Sequence, residues 1–179
     1  MLSRRKRILL KLKRKYLFIF KLVNRNKYMN LFYQHMREMG INMPEQPEFI
    51  SDDVYLDEVG YSLISIEKGV TISKGVTLLV HDFSVTQPLR TYEDNVLWAE
   101  ILRHIQLKRG CFIGANSIIL PGTTIGENSI VGAGSVVKGE IPDNVVIAGN
   151  PAKVIKTIEE YYHDIKKMQS DEVKIWYKE

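Results

Sequence analysis

The sequence is poor in cysteine, and its N-terminal region lacks the apolar segments that membrane insertion needs. Cys111 is the single cysteine among 179 residues, so an internal disulfide is excluded and a reducing compartment is indicated. The longest uncharged apolar run of the N-terminal region, Tyr16 to Phe20, is far shorter than the ~20 residues of a transmembrane helix. That region also lacks the apolar stretch and cleavage site of a signal peptide. These absences predict a cytoplasmic protein.

Acidic residues are missing from residues 1–27, which hold eleven lysines and arginines. The rest of the chain holds 14 basic and 21 acidic residues, so a head of charge +11 precedes a body of charge −7. An anionic membrane surface is the favoured partner of this head, because apolar residues recur there at helical spacing: Leu9, Leu12, Tyr16, Ile19 and Val23. The alternative is a helix that packs this stripe on the body or on a neighbouring subunit. No nucleic-acid-binding module accompanies the charge, so no nucleic acid partner is predicted.

One six-residue pattern repeats six times between Leu107 and Pro142, and such periodicity is typical of a parallel β-helix. A branched aliphatic residue opens every hexad: Leu107, Ile113, Ile119, Ile125, Val131 and Val137. Small residues recur four places later: Ser117, Thr123, Ser129 and Ser135. Each hexad predicts a short strand and a corner, and three hexads predict one triangular coil with both kinds of residue pointing inward. Because no coil buries its own core, the coils must stack.

The chain divides into three predicted segments. Residues 1–43 form a basic helical head, in which Gly40 is the expected helix stop, and residues 157–179 form a terminal helix and tail that cap the open end of the stack. Residues 44–156 form the β-helix domain. Within that domain the hexad pattern stops just after His81, and residues 84–106 are predicted to leave the coil as an excursion loop. Loops extruded from a rigid scaffold are common places for function.

The run from Phe112 to Ile155, which includes FIGANSIILPGTTIGENSIVGAGSVV and GNPAKVI, resembles the hexapeptide-repeat (left-handed β-helix) acyltransferases. The stretch VTISKGVTLLVHDFS is similar to the branch that O-acetylates sugars of surface polysaccharides. The resemblance implies left-handed coils, a homotrimer, acetyl-CoA as donor, no metal, and a bacterial surface polysaccharide or its precursor as acceptor. Two alternatives stay open: a small-molecule acceptor such as serine, a simple sugar, an antibiotic or an amino sugar, and a non-catalytic β-helix used for assembly.

The resemblance also implies a role for His81, and the positions of Asp82, Trp98 and His104 suggest roles for them beside it. His81 stands where the family has its general base, which removes the proton of the acceptor hydroxyl. Asp82 is expected either to orient the imidazole or to shape the corner. Trp98 and His104 lie in the loop and are expected to contact the acceptor, with anchoring of the loop as the alternative role of Trp98. A metal site would require three clustered histidines, which the sequence does not predict.

The same resemblance places the coenzyme along small residues and lysines of the repeat region. Gly114, Ala115, Gly132 and Ala133 match positions where the pantetheine arm meets the backbone, although the repeat itself also requires small residues there. Lys138, Lys153 and Lys156 are the expected phosphate contacts. At Lys138 the chain departs from the family, because relatives more often carry a Thr-Lys pair there.

Overall fold

The computed structural model describes residues 9, 12, 13, 17, 21, 23–168 and 172–176. Residues 9, 12, 13, 17, 21 and 23 are helical. They are followed along the chain by the helices α1 (Arg25–Met39), α2 (Thr86–Tyr92) and α3 (Ile158–Lys167), and a 3₁₀ turn lies at Tyr61–Leu63. The strands are β1 (Phe49–Ile50), β2 (Tyr55–Leu56), β3 (Ile64–Ile66), β4 (Thr71–Ile72), β5 (Thr77–Leu78), β6 (His81–Asp82), β7 (Ile101–Leu102), β8 (Ile105–Leu107), β9 (Phe112–Ile113), β10 (Ile118–Ile119), β11 (Thr124–Ile125), β12 (Ile130–Val131), β13 (Val136–Val137), β14 (Glu140–Ile141), β15 (Val145–Gly149) and β16 (Ala152–Thr157).

The strands build a three-sided parallel β-helix. Face A has the order β14-β11-β8-β3, face B has β1-β4-β9-β12-β15-β16, and face C has β13-β10-β5-β2. Neighbours within a face are parallel, except that β16 folds back antiparallel on β15. Consecutive strands of the repeat region lie on consecutive faces, so the chain turns one corner after each strand. The predicted parallel β-helix is thereby confirmed.

The interior contains the residues that the repeat pattern predicts. All six hexad-opening aliphatic residues and the four small residues of the repeats are fully buried. Residues 18 apart pair on adjacent coils, as in Phe112↔Ile130 and Ile118↔Val136. The buried hydroxyls are satisfied by corner carbonyls; Ser117 Oγ, for example, donates to Gly132 O over 3.0 Å. The core is therefore a stack of aliphatic side chains with small polar residues at its corners.

The corners use residues that tolerate left-handed backbone. Gly110 has φ 68°, and Asn116 and Asn128 have φ 58° and 54°. Asparagine is one of the few residues with a side chain that adopts this conformation readily. The asparagines also bond along the stack, because Asn128 Nδ2 donates to Asn144 Oδ1 over 3.1 Å. Corner residues thus contribute to coil stacking as well as to chain reversal.

Two coils are longer than the repeat. Residues 22 apart pair between β1 and β4, as in Phe49↔Thr71, because the first coil includes the 3₁₀ turn. Residues 41 apart pair between β3 and β8, as in Ser65↔Gln106, because the excursion lies between those strands. Residues 84–106, predicted as a loop without repeats, contain α2 and β7, and the last two residues, Ile105 and Gln106, already belong to β8 of face A. The excursion is therefore an ordered segment with its own short elements.

The two ends of the stack are closed differently. Helix α1 ends at Gly40 with φ 107°, which confirms the predicted stop, although the predicted helical segment ran on to residue 43. Its apolar face, including Phe32 and Met36, joins the core of the first coil. At the other end β16 covers the edge of β15, and α3 follows with a capping box between Thr157 and Glu160 but without a buried residue. None of the helices in the described part of the chain is long and apolar enough to span a bilayer.

Candidate active site

His81 lies where the excursion leaves the β-helix. Strand β5 ends on face C, and β6, which His81 opens, lies at the corner between faces C and A. Strand β6 pairs antiparallel with β7, so that His81 is opposite Leu102. The returning chain is attached to the same corner, because Arg103 N donates to Val80 O over 2.9 Å. The excursion therefore starts and ends beside the histidine.

A buried carboxylate holds the imidazole. Asp57 follows β2 on the preceding coil, and only 1% of its surface is exposed. Its Oδ2 accepts hydrogen bonds from Val80 N at 2.9 Å and His81 N at 3.2 Å, and it bonds His81 Nδ1. Its Oδ1 accepts from Val59 N over 3.2 Å. The side chain of His81 remains 21% exposed, so Nε2 is the ring nitrogen left for chemistry.

Asp82 does not hold the imidazole, which corrects the orienting role that the sequence analysis allowed it. Its Oδ1 accepts from Ser84 N over 2.8 Å, and the hydrogen bonds from Ser84 keep the pKa of this carboxyl below its usual value. Successive side chains of a strand point to opposite sides, which turns Asp82 away from its neighbour. Asp82 shapes the corner, as the alternative interpretation held.

Sequence reasoning missed Asp57, and the coil lengths explain why. Leu56 pairs with Leu78 across 22 residues, whereas the repeat pattern implies 18. Counting in hexads therefore fails to align Asp57 with the corner that carries His81. The sequence did show an acidic residue directly after two residues typical of a short strand. This combination is too common to identify a site.

Aromatic side chains line the outer side of the corner. Phe83 meets the imidazole of His81 edge-on, with ring centroids 4.8 Å apart, and Trp98 meets Phe83 at 6.2 Å. Phe83 is 48% exposed and Trp98 59% exposed, so both present open ring surface. His104, which is exposed, follows two residues after Leu102, the partner of His81. The structure thus brings Trp98 to the histidine corner through Phe83, which the sequence analysis did not select. His104 lies on the chain that returns to this corner, and its contact with the acceptor stays a prediction.

The small residues expected at the coenzyme lie on a different corner. Gly114 and Ala115 follow β9, and Gly132 and Ala133 follow β12, so both pairs lie between faces B and C. Coil packing already requires Gly114, because an added Cβ would lie 2.5 Å from Ala133 N. Ala133 is exposed and Ala115 is half-buried. Within one protomer these residues and His81 therefore flank face C from opposite sides.

The three lysines occupy distinct environments. Lys138 follows β13 at the same corner as His81. The hydrogen bonds from Ser84 are the main cause of the lowered pKa of Asp82, and the positive charge of Lys138 lowers that pKa further. Lys153 is exposed on β16, opposite Ala148. Lys156 Nζ donates to Asp164 Oδ2 over 2.6 Å, and that bond raises the pKa of the lysine. Lys138 and Lys153 therefore present accessible cations, whereas the charge of Lys156 is already neutralised by a carboxylate.

Metal ligands do not converge at this site or elsewhere in the described residues. No group of three or more His, Cys, Asp or Glu side chains is arranged there to hold an ion. His35 lies in α1 and His163 in α3, on elements other than the corner of His81.

Comparison with known proteins places the chain among repeat transferases. The family described as "Bacterial transferase hexapeptide (six repeats)" matches residues 104–139. Protein CapG of Staphylococcus aureus is 40% identical over 154 residues, which cover 82% of this chain and 87% of that protein. Galactoside O-acetyltransferase of Escherichia coli (strain K12) is 37% identical over 108 residues, covering 58% of this chain and 51% of that enzyme.

A solved structure agrees with the fold described above. A galactoside acetyltransferase in complex with coenzyme A superposes with a TM-score of 0.59 at 26% identity, over 86% of this chain and 83% of the other. The match therefore includes most of both molecules, beyond the repeats themselves. With the extended identity to CapG and the match of the repeats, it shows that this chain belongs to the hexapeptide-repeat acyltransferase family, has that family's left-handed β-helix, and is an acetyltransferase.

Proposed function

We propose that this acetyltransferase moves the acetyl group of acetyl-CoA to a sugar hydroxyl, with His81 as general base. The observation that carries the proposal is the bond between the buried Asp57 carboxylate and His81 Nδ1 at the point where the excursion leaves the coil. A carboxylate on Nδ1 selects the tautomer whose Nε2 accepts a proton. The base is thereby oriented toward the open side of the corner.

The reaction follows from this arrangement. The acceptor oxygen attacks the thioester carbonyl carbon as its proton passes to His81 Nε2. The tetrahedral oxyanion is stabilised by a backbone N–H of the neighbouring coil. When the intermediate collapses, the C–S bond breaks, and the coenzyme sulfur leaves with the proton that the imidazolium returns. Asp57 stabilises the imidazolium while it exists.

The acceptor side of the corner fits a sugar. Phe83 and Trp98 expose aromatic surface beside His81, and the apolar C–H faces of sugar rings pack on such surfaces. His104 adds a hydrogen-bonding group at the same corner. Galactoside O-acetyltransferase, one of the relatives, acts on a sugar by its name. We assign the acceptor to a surface polysaccharide or its lipid-linked precursor, which suits a chain with a basic head and places the enzyme in the cytoplasm at the inner membrane face.

The coenzyme site requires two subunits. The small residues between faces B and C and His81 between faces C and A flank the same face from opposite sides, so one coenzyme reaches both sets when it lies between neighbouring copies. Lys153, and Lys138 near the histidine, supply cations for its phosphates. We propose a homotrimer in which each active site lies in the groove between two protomers.

The first experiment measures release of free CoA from acetyl-CoA with a panel of acceptors. The panel contains nucleotide sugars, oligosaccharides, serine and amino sugars, and hydrolysis without acceptor is subtracted. His81→Ala is expected to lower the acceptor-dependent rate by ~10²–10⁴-fold, the usual contribution of a positioned base. His163→Ala is the matched control, because that histidine lies on α3 with 61% of its side chain exposed.

The outcomes separate the parts of the proposal. Wild-type turnover in His81→Ala, with unchanged thermal stability, would remove His81 as the base. Turnover with serine or amino sugars, but with none of the nucleotide sugars or oligosaccharides, would leave His81 as the proposed base and would change the proposed class of acceptor. Release that responds to oligosaccharides and collapses only in His81→Ala supports the assignment as it stands.

A further inference from the structure

The described helical residues that precede α1, which are residues 9, 12, 13, 17, 21 and 23, form a segment with one face toward the body of the protein. Lys13, Leu17 and Lys21 are spaced four residues apart, so they share one side of a helix. Leu17 is 4% exposed and joins the core cluster. Lys13 Nζ bonds Glu38 at 2.5 Å and Lys21 Nζ bonds Asp52 at 2.7 Å. One buried leucine between two ion pairs sets the rotation of this segment about its axis.

Another side of the segment carries apolar residues without a place in the core. Leu9 is 70% exposed, Leu12 59% and Val23 81%. With 3.6 residues per turn these three positions fall within about 60° of one another, and they lie about 80° to 140° from Leu17. They are members of the stripe that the sequence predicts; its other members, Tyr16 and Ile19, lie outside the described residues. Folding of the protomer therefore leaves an outward apolar stripe.

The positive charge of the N-terminal region indicates which kind of partner covers this stripe. Residues 1–27 carry eleven basic and no acidic residues. A second copy of the same stripe would bring two such heads together against their mutual repulsion. A nucleic acid would use the cations but would leave the leucines in water. An anionic lipid surface satisfies both features, because apolar side chains enter the acyl boundary while lysines and arginines meet headgroup phosphates.

We infer that the stripe of Leu9, Leu12 and Val23 docks this protein on an anionic lipid bilayer, with the helix lying in the headgroup plane. Docking through this face leaves the contacts of Lys13, Leu17 and Lys21 intact. The adjoining α1 packs on the first coil, and His81 follows on the next coil. The active corner is thus held near the membrane, where a lipid-linked acceptor lies; only this last consequence rests on the proposed function.

The test is flotation of the full-length protein with vesicles. Vesicles of phosphatidylglycerol and phosphatidylethanolamine are compared with vesicles of phosphatidylcholine, at low and at high ionic strength. We expect binding to the anionic vesicles only, with release by salt, because headgroup attraction is screened within a Debye length. Leu9→Asp combined with Leu12→Asp is expected to lower the partition coefficient at least about tenfold, since two apolar side chains leave the acyl boundary. Ile175→Asp combined with Trp176→Asp is the matched control, because it adds the same two negative charges at exposed apolar residues elsewhere in the chain (54% and 84% exposed).

Three results would overturn the inference. The first is equal binding of wild type and the Leu9→Asp, Leu12→Asp variant. The second is binding to phosphatidylcholine that salt does not affect. The third is a change of particle mass in the variant without lipid, which would make the stripe a subunit contact. Acetyl transfer to a soluble acceptor, measured on the same samples, is expected to be unchanged, so a failed docking test and a failed reaction are distinguishable.

Discussion

Among single residues, Asp57 adds most to the description of the proposed reaction, because its buried carboxylate holds His81. A carboxylate removed from water is costly unless several donors meet it, and Asp57 accepts from three backbone N–H groups and one imidazole nitrogen. These bonds attach the ring of His81 to the rigid coil beneath it. In the proposed reaction Asp57 is a positioning residue, and its effect is expected in turnover more than in binding.

Asp57→Asn tests that role. The amide preserves size but removes the charge that stabilises an imidazolium, so we expect kcat to fall by about 10–100-fold with the KM for acetyl-CoA unchanged. Asp82→Asn is the matched control, because Asp82 bonds Ser84 and not the imidazole. Steady-state kinetics and thermal melting of both variants decide the point. A purely structural role would lower the melting temperature and leave kcat per folded enzyme at the wild-type value.

Cys111 is expected to be inert despite being the single thiol of the chain. Burial raises its pKa to about 12, so at pH 8 the reactive thiolate is only about one part in ten thousand of the thiol. Native protein should resist alkylation by iodoacetamide at that pH, whereas denatured protein should take up one equivalent. Mass spectrometry of both samples measures the difference. Rapid labelling of the native protein would contradict the buried placement.

At the scale of the elements, stability depends on close contact between adjacent coils. Each strand has only a few backbone bonds, and neighbouring corners approach closely where glycine permits it. Gly114 N donates to Val131 O over 2.8 Å, with Ala133 N immediately beside it. The glycine required there for packing also lies at the corner to which we assign the pantetheine arm. Coil packing and the proposed binding of the pantetheine arm therefore both require a small residue at position 114.

Gly114→Ala is predicted to destabilise the stack. Its Cβ would lie 2.5 Å from Ala133 N and 2.6 Å from Val131 O, and backbone atoms on both sides resist displacement. Overpacking of this kind costs about 1–3 kcal/mol, which chemical or thermal unfolding at fixed protein concentration will show. Gly134→Asn is the control, since an added Cβ there meets nothing within 4 Å and asparagine tolerates its positive φ. Equal stability of the two variants would contradict the close approach.

At the scale of the whole molecule, the three faces differ in their outward side chains. The outward row of face A is polar, with Gln106 and Glu140 among its members, whereas faces B and C direct Phe112, Ile130 and Ile118 outward. Phe112 is 40% exposed in the protomer. Apolar rows on two adjacent faces are typical of surfaces that another subunit covers. They support the trimer proposed above.

Charge introduced on these rows is therefore predicted to dissociate the trimer. Ile118→Lys combined with Ile130→Lys places a cation on face C and another on face B, and we expect the particle mass measured by light scattering to fall from three protomers to one. Activity should fall with it, because in the proposed trimer each site lies between two subunits. Gln106→Lys on face A is the control and should leave mass and activity unchanged. A trimer that tolerates both lysines would exclude these rows from the interface.

The sequence by itself determined the β-helix, because a six-residue period dictates which side chains enter the core wherever it is unbroken. Leu107 to Val137 obey it without exception. His81 was singled out by the same logic, as the residue where the pattern stops. Only the tertiary structure decided which groups meet His81. Asp57 contacts His81 because the coil between β2 and β5 has 22 residues. Phe83 contacts His81 because of the shape of the corner. The six-residue period predicts neither of these. The outward position of Leu9 and Leu12 was likewise decided by Leu17 and two ion pairs, since a sequence stripe does not specify which side of a helix the body covers.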